Sequence, residues 1–497
     1  MKIRSAILTL VVALAAFCPA SAQELLTQPG ESPLINLRLQ FHTGAIHDPS
    51  DKEGLCYLAA YSLSEGSTER HSYQELLEIF YPWAVSVDTT VGKERVTFST
   101  TVHRDHLDEV TPLLVEMMGR PAFAEKDLER LRDKAKNYLT QELRVNNDEE
   151  LGKEVLYLQI YPESHPYGHH NVGSVRGLEA VDQTALKDFY THHFTPANLT
   201  VAVAGGYPEG YPEKLAGLLK EALPSQSAMP EPVRVPHPAS PAGRRVTIVE
   251  KDTRSVAMSI GFPIEVNRSH PDWTALFLFR SFFGEHRSSN SYLYQRLREA
   301  RGLNYGDYAY IEYFPNGMHL MQPEPNYPRQ EQIFQIWIRP VQPETAVFAL
   351  RATLFELEKI ARDGLTQEQF EATRSFLKKN APLLVASSER RLGYALDSKF
   401  YATKPFVEKL RTELDRLTLE DVNKAIRKHI QADNLEIVLV TKSGVGLRKA
   451  LLEGKPTPMT YNSDKPQSIK NEDKLIQSHP LNLDEVRVVP VNSFFRD

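Results

Sequence analysis

The side chains of this 497-residue chain that could do chemistry are scattered, and few of them stand at productive spacings. Tyr57 and Tyr61 lie four residues apart, so on a helix their rings line one wall with Ala60 between them. A phenol, with a pKa of about 10, is mostly protonated at neutral pH and is a poor zinc ligand, and Ala60 offers no base. His103-Arg104-Asp105-His106 has metal-like spacing but no third ligand, and reads as a solvated loop between a strand and a helix. His165, His169 and His170 surround Pro166-Tyr167-Gly168 and shape a turn, while His192-His193 end a helix. No Gly-x-Ser-x-Gly elbow, phosphate loop or Cys/His pairing is present. Cys56 falls on a buried helix, where a thiol is inert packing.

The elements that must position these groups form a duplicated chain. Residues 178–205 align without gaps on residues 414–441, pairing His193 with His429, Asn198 with Asn434 and Leu199 with Leu435. Each segment reads as an amphipathic helix, a polar turn and a buried strand. Upstream, residues 127–161 and 368–401 are long helical stretches, and residues 36–41 and 256–262 are strands leading through a His/Pro loop into an apolar helix. A proline-dense stretch, 223–243, separates the two copies and can hold neither helix nor central strand. The expected class is α+β: two similar α/β domains, residues 23–222 and 244–443, each a sheet with helices packed on one face, joined by this linker. The remainder, 444–497, rich in Pro, Lys, Asp and Asn, reads as an extended tail laid over the surface.

Composition is that of an ordinary globular protein, with 41% hydrophobic and 25% charged residues, and a net charge of −6 gives no reason to expect nucleic acid as a partner. The N-terminus has a basic start (Lys2, Arg4), an apolar run from Ala6 to Phe17 and small residues at Ala20 and Ala22. Residues 1–22 are therefore expected to be a signal peptide, the run being shorter than the roughly 20 residues of a membrane span. Bulky Phe17 before Cys18 argues against a lipoprotein site. Export, to a bacterial periplasm, is the expected localisation, with no membrane span after cleavage.

The frame around Tyr57 (Phe41-x-x-Gly44, Asp48-Pro49, Glu53-Gly54-Leu55, Glu65-Gly66) resembles the M16 (pitrilysin/insulinase-like) metallopeptidases. There the helix after Gly-Leu carries His-x-x-Glu-His, two zinc-binding imidazoles with a glutamate that polarises water. The resemblance places those three positions at Tyr57, Ala60 and Tyr61, and the third ligand at Asn137 or Tyr138, with Glu142 one turn on. It implies an M16 homologue inactive alone, binding no zinc itself. Leu297-Arg298-Glu299-Ala300-Arg301-Gly302-Leu303-Asn304-Tyr305 is similar to the family's Leu-Arg-Glu-x-Arg-Gly-Leu-x-Tyr segment, whose Arg and Tyr reach toward the metal from the opposite wall. The resemblance carries that substrate-binding role to Arg298 and Tyr305. It implies a noncatalytic, peptide-binding subunit of a heterodimer, whose partner holds His-x-x-Glu-His and the zinc. A structural scaffold without a role in proteolysis is the alternative. The polar loop 283–290 either lines the substrate chamber or is an ordinary serine-capped helix start.

Overall fold

Runs of β-branched and aromatic residues between polar turns make the strands, and stretches with apolar residues every three to four positions make the helices. A computed structural model describes residues 23–225, 233–317 and 320–495, so the expected signal peptide lies outside the described residues. The first half opens with β1 (Glu24–Pro29), β2 (Leu34–Phe41), α1 (Leu55–Ser64), α2 (Tyr73–Phe80), β3 (Asp88–Val91) and β4 (Val96–His103). It continues with α3 (Leu107–Gly119), α4 (Glu125–Asn137), a π-helical segment Tyr138–Asn146, α5 (Asp148–Ile160), α6 (Val175–Ala180), α7 (Gln183–His193), β5 (Leu199–Gly205) and α8 (Tyr211–Ala222). The second half opens with β6 (Arg244–Glu250), β7 (Val256–Ile264), α9 (Trp273–Gly284), a π-helical turn Tyr294–Glu299, β8 (Asp307–Tyr310) and β9 (Gln332–Val341). There follow α10 (Ala346–Asp363), α11 (Gln367–Asn380), α12 (Ser388–Phe400), α13 (Phe406–Arg416), α14 (Leu419–His429) and β10 (Leu435–Thr441). The chain closes with α15 (Gly444–Glu453), α16 (Gln467–Ile476) and β11 (Leu483–Pro490).

The duplication is visible in the sheets. The first has the order β1-β5-β2-β4-β3, and the second repeats it as β6-β10-β7-β9-β8 with β11 added outside β6. In both, the strand opening the half (β1, β6) runs parallel to the strand that follows α7 or α14 (β5, β10), and the pairs on the inner side of β5 and β10 are antiparallel, while β11 adds a second parallel pair outside β6. Helix α7 and strand β5 begin and end at the positions that the gapless alignment pairs with α14 and β10.

Each half packs its own helices on one face of its sheet, and the opposite face is closed by a helix of the other half. On β5, Val201 and Val203 join the first half's core, whereas Ala202 and Ala204 face Leu392 and Leu396 of α12. On β10, Ile437 and Leu439 join the second half's core, whereas Val438 and Val440 pack with α5 in the first half's core. Gly152 allows this approach of α5, since a Cβ there would lie 3.0 Å from Ser259 Oγ.

The tail departs from the sequence reading. Residues 444–495 contain two helices and a strand, and β11 pairs in parallel with β6 along its length. Beyond it, Phe494 and Phe495 are buried in the first half's core, with Arg144 Nε donating to the Phe494 carbonyl at 2.9 Å. The expectation of an extended surface tail is thus corrected. Without β11 the backbone of β6 would be an open edge, and the alternation Val486–Val488 supplies the strand that covers it. The described linker residues form neither helix nor strand, and His165 Nε2 holds the Pro236 carbonyl at 2.8 Å.

Candidate functional site

Helix α1 is fixed at its start by a buried carboxylate. Asp48 accepts from the N–H of Gly54 at 2.8 Å and of Cys56 at 2.7 Å, groups that have no partner within the helix. Gly54 has φ 102°, and a Cβ there would meet the Val172 carbonyl at 2.6 Å, so the turn into α1 requires glycine. The same Asp48 lies 3.2 Å from His169 Nε2, which ties the turn around Tyr167 to this helix start.

One turn into α1 the rings of Tyr57 and Tyr61 stand side by side, 4.3 Å apart between centroids, and Tyr61 donates to the Thr89 carbonyl at 3.2 Å. Burial pushes the Tyr61 phenol up to about 12 and that of Tyr57 higher still. Ala60 is 0% exposed. Tyr138, the first residue of the π-helical segment, reaches the same cavity, and burial raises its phenol as well. Asn137 and Glu142 border an adjoining surface groove, which shares Lys134 and Tyr138 with this cavity. A zinc ion does not fit this donor set: three phenols held far from ionisation and an alanine provide neither ligands nor base.

These tyrosines form one wall of a cavity of ≈ 300 Å³ between the two halves. The other wall comes from the long connection between β8 and β9, through Tyr313, Asn316 and Tyr327. Glu154 of α5 and His170 close its floor, with His170 Nε2 3.6 Å from Glu154 Oε2 and the Tyr313 hydroxyl 3.5 Å from Glu154 Oε1. Burial, and then Glu150 beside it, push the Glu154 carboxyl up to about 7. Burial, and then Lys93, lower His170 to about 3, so this imidazole is neutral. Sequence reasoning assigned His170 to a turn and passed over Glu154, Tyr313 and Tyr327. No local pattern marks these residues, because the fold alone brings them to Tyr57.

The family model described as "Insulinase (Peptidase family M16)" matches residues 27–161, and "Peptidase M16 inactive domain" matches residues 180–377. The chain belongs to the M16 family. It is an M16 inactive-domain homologue. An uncharacterized zinc protease of Mycobacterium tuberculosis is 25% identical over 397 residues, covering 74% of this chain and 83% of that relative. The "Non-peptidase homolog YmxG" of Helicobacter pylori is 21% identical over 422 residues, covering 82% and 89%. Among solved structures, a peptidase M16 inactive domain from Pseudomonas fluorescens superposes with a TM-score of 0.71 at 21% identity, covering 84% of this chain and 94% of that one. The first half of the periplasmic protease PqqL from Escherichia coli gives 0.63 at 15%, covering 91% and 94%.

In this M16 chain Arg298 and Tyr305 stand apart from the tyrosine cavity. The π-helical turn that carries Arg298 is anchored by buried Leu297 and by its flanking arginines. Arg296 is paired with Glu356 at 2.7 Å, and Arg301 with Asp473 at 2.8 Å. Arg298 itself pairs with the adjacent Glu299 and lies over the Tyr294 ring, 5.1 Å from its centroid. Tyr305 is 78% exposed in the loop before β8. In the loop 283–290, His286 is buried and stacked on Tyr308 at 4.0 Å, while Arg287, Ser289 and Asn290 are exposed.

Among the described residues, His270, Asp272 and His429 bring three metal-type ligand atoms within 4.8 Å of one another. Asp272 is already held by His429 Nε2 at 2.7 Å and Lys428 Nζ at 2.9 Å. The first half repeats this contact as His47 and His193, both 3.1 Å from the Thr43 hydroxyl. The pair therefore reads as a duplicated strap between the loop before the core helix and the helix before the last strand.

Proposed function

We propose that this chain is the noncatalytic, peptide-binding subunit of an exported, heterodimeric M16 zinc peptidase, and that it supplies Arg298 and Tyr305 to its partner's active site. The observation that carries this reading is the contrast between the two sites. The metal positions hold Tyr57, Ala60, Tyr61 and Tyr138, whereas the Arg/Tyr segment keeps its residues and holds Tyr305 out in solvent. The exposed phenol of Tyr305, seven residues after a half-buried guanidinium whose turn is braced by two ion-paired arginines, supports the reading that this surface meets another chain. The guanidinium can hold a peptide carbonyl or carboxylate, and the phenol can donate to the oxyanion that forms when water adds to the peptide bond. The partner's zinc would polarise that water. Likeness to a protease described as periplasmic supports the export reading alongside the N-terminal pattern.

The test is reconstitution with an M16 chain that carries an intact His-x-x-Glu-His. Peptidase activity should arise only in the mixture, and Arg298→Ala or Tyr305→Phe should each lower kcat/KM by about 100- to 1000-fold, the usual loss for one oxyanion donor. Activity indifferent to both substitutions would make the chain a scaffold. One tightly bound zinc per purified chain, with peptidase activity lost on chelation, would overturn the noncatalytic reading.

A further inference from the structure

The cavity beside Tyr57 plays no part in the proposed partnership, yet its chemistry is specific. Five of its walls are tyrosines: Tyr57, Tyr61 and Tyr138 from the first half, Tyr313 and Tyr327 from the second. It reaches solvent beside Lys134 and Asn316, both exposed. Glu154, 7% exposed, is its one carboxylate, and that carboxylate is short of partners. Its contacts are the Tyr313 hydroxyl at 3.5 Å and a neutral His170 at 3.6 Å, both at the outer limit of hydrogen bonding. The cations around it are committed elsewhere. Lys153 is paired with Glu150, Lys93 donates to the His169 carbonyl, and Arg329 lies over the Tyr313 ring, 3.3 Å from its centroid.

We infer that this cavity binds an organic cation, a primary ammonium or guanidinium at the end of an aliphatic chain, which enters between the tyrosines and pairs with Glu154. Aromatic walls around a carboxylate favour a desolvated cation. An anion would meet Glu154, and an apolar group would leave it buried and unpaired. The chain already displays the contact in miniature, because Lys134 Nζ rests 5.1 Å from the centre of the Tyr61 ring at the cavity's lip. Such a cation is found on a lysine or arginine side chain of a peptide and on a free polyamine.

The inference concerns the purified chain alone, so calorimetric titration without any M16 partner separates its fate from that of the proposed function. The probes are a capped Ala-Ala-Lys-Ala-Ala peptide, the same peptide with norleucine in place of lysine, and spermidine. The lysine peptide is expected to bind saturably, with affinity reduced at least about tenfold by norleucine or by Glu154→Gln, the loss of one paired, desolvated cation. Spermidine binding at least as tightly as the lysine peptide would identify the free polyamine as the source and leave the cation site standing. Binding should strengthen from pH 6 to pH 8. Glu154 ionises across that window, and Lys93, brought down to about 7 by burial and then Arg329, gives up its charge nearby. His170 stays neutral, and the other charged groups around the cavity are Glu150, Lys153, Arg329 and Lys134. Equal binding of the norleucine and lysine peptides, unchanged binding by a folded Glu154→Gln chain, or no saturable binding of either cation would each overturn the inference. If Glu154→Gln fails to fold, the norleucine comparison on the unaltered chain decides.

Discussion

Asp307 stands two positions after the exposed Tyr305, at the start of β8, with its carboxylate wholly buried. Asn304 Nδ2 donates to one oxygen at 2.7 Å, the other oxygen has no hydrogen-bond partner, and burial pushes the carboxyl up to about 8. Below about pH 4 the group is protonated both folded and unfolded, so the stability it permits is fully present. As pH rises toward 8 the unfolded chain releases the proton while the folded chain retains it, and stability falls through that window. Asp307→Asn should therefore stabilise the chain at pH 8 by on the order of 1–3 kcal/mol and change little at pH 4. Urea unfolding at the two pH values checks this, and a variant weaker at pH 8 would refute it. Little of this is legible in the sequence. The spacing of Tyr57 and Tyr61 places two rings on one wall, but nothing near Asp307 or Glu154 says that a carboxylate there is buried. Burial is decided by segments far away in the chain, such as α5 under the connection that carries Tyr313.

The strands and helices were more open to reading than the side chains. A buried β-branched run after a polar turn specifies β5 and β10 wherever it occurs, and both copies obey. The π-helical segments were not readable. One begins at Tyr138 and the other holds Arg298, and a one-residue wider turn shifts every later side chain around the axis. Of the two positions that the resemblance offered, Asn137 and Tyr138, it is Tyr138 that lines the cavity beside Tyr57. The tail was misread because Pro, Lys and Asp in residues 454–466 hide a short strand behind a polar stretch. Its last residues then do structural work: Phe495 packs edge-on against His170 at 5.7 Å, and its carbonyl accepts from the Val175 N–H at 3.1 Å. Phe495→Ala should cost roughly 3 kcal/mol, the low end for truncating a buried phenylalanine, and should open β11 to limited proteolysis. A variant with unchanged stability and cleavage would restore the surface-tail reading.

At the scale of the molecule, the exchange of helices between halves decides how the chain unfolds. Two domains on a proline-rich linker would ordinarily move and melt separately unless a large apolar interface joins them. Here each sheet needs the other half to close it. Val438, Val440 and Ala257 are buried in the first half's core on strands that pack against α5, and Ala202 and Ala204 are buried with Leu392 and Leu396. The sequence holds one sign of this. Helix α5 is buried nearly all round, with Leu151, Val155, Leu156 and Tyr157 on different sides, as befits a helix packed between two layers. Periodicity shows that such a helix is covered, but not by which sheet. Calorimetry should therefore find one cooperative transition for the whole chain, and Leu392→Ala should shift it intact, by about 2–5 kcal/mol for an enclosed leucine. Residues 23–222 produced alone should aggregate, because α5 and the bare face of β5 would stand in water together. Two resolved transitions, with Leu392→Ala moving only one, would show that the halves hold themselves. Joint melting would also bear on the partner surface, since a partner that grips only the Tyr305 side would then raise the stability of both halves at once.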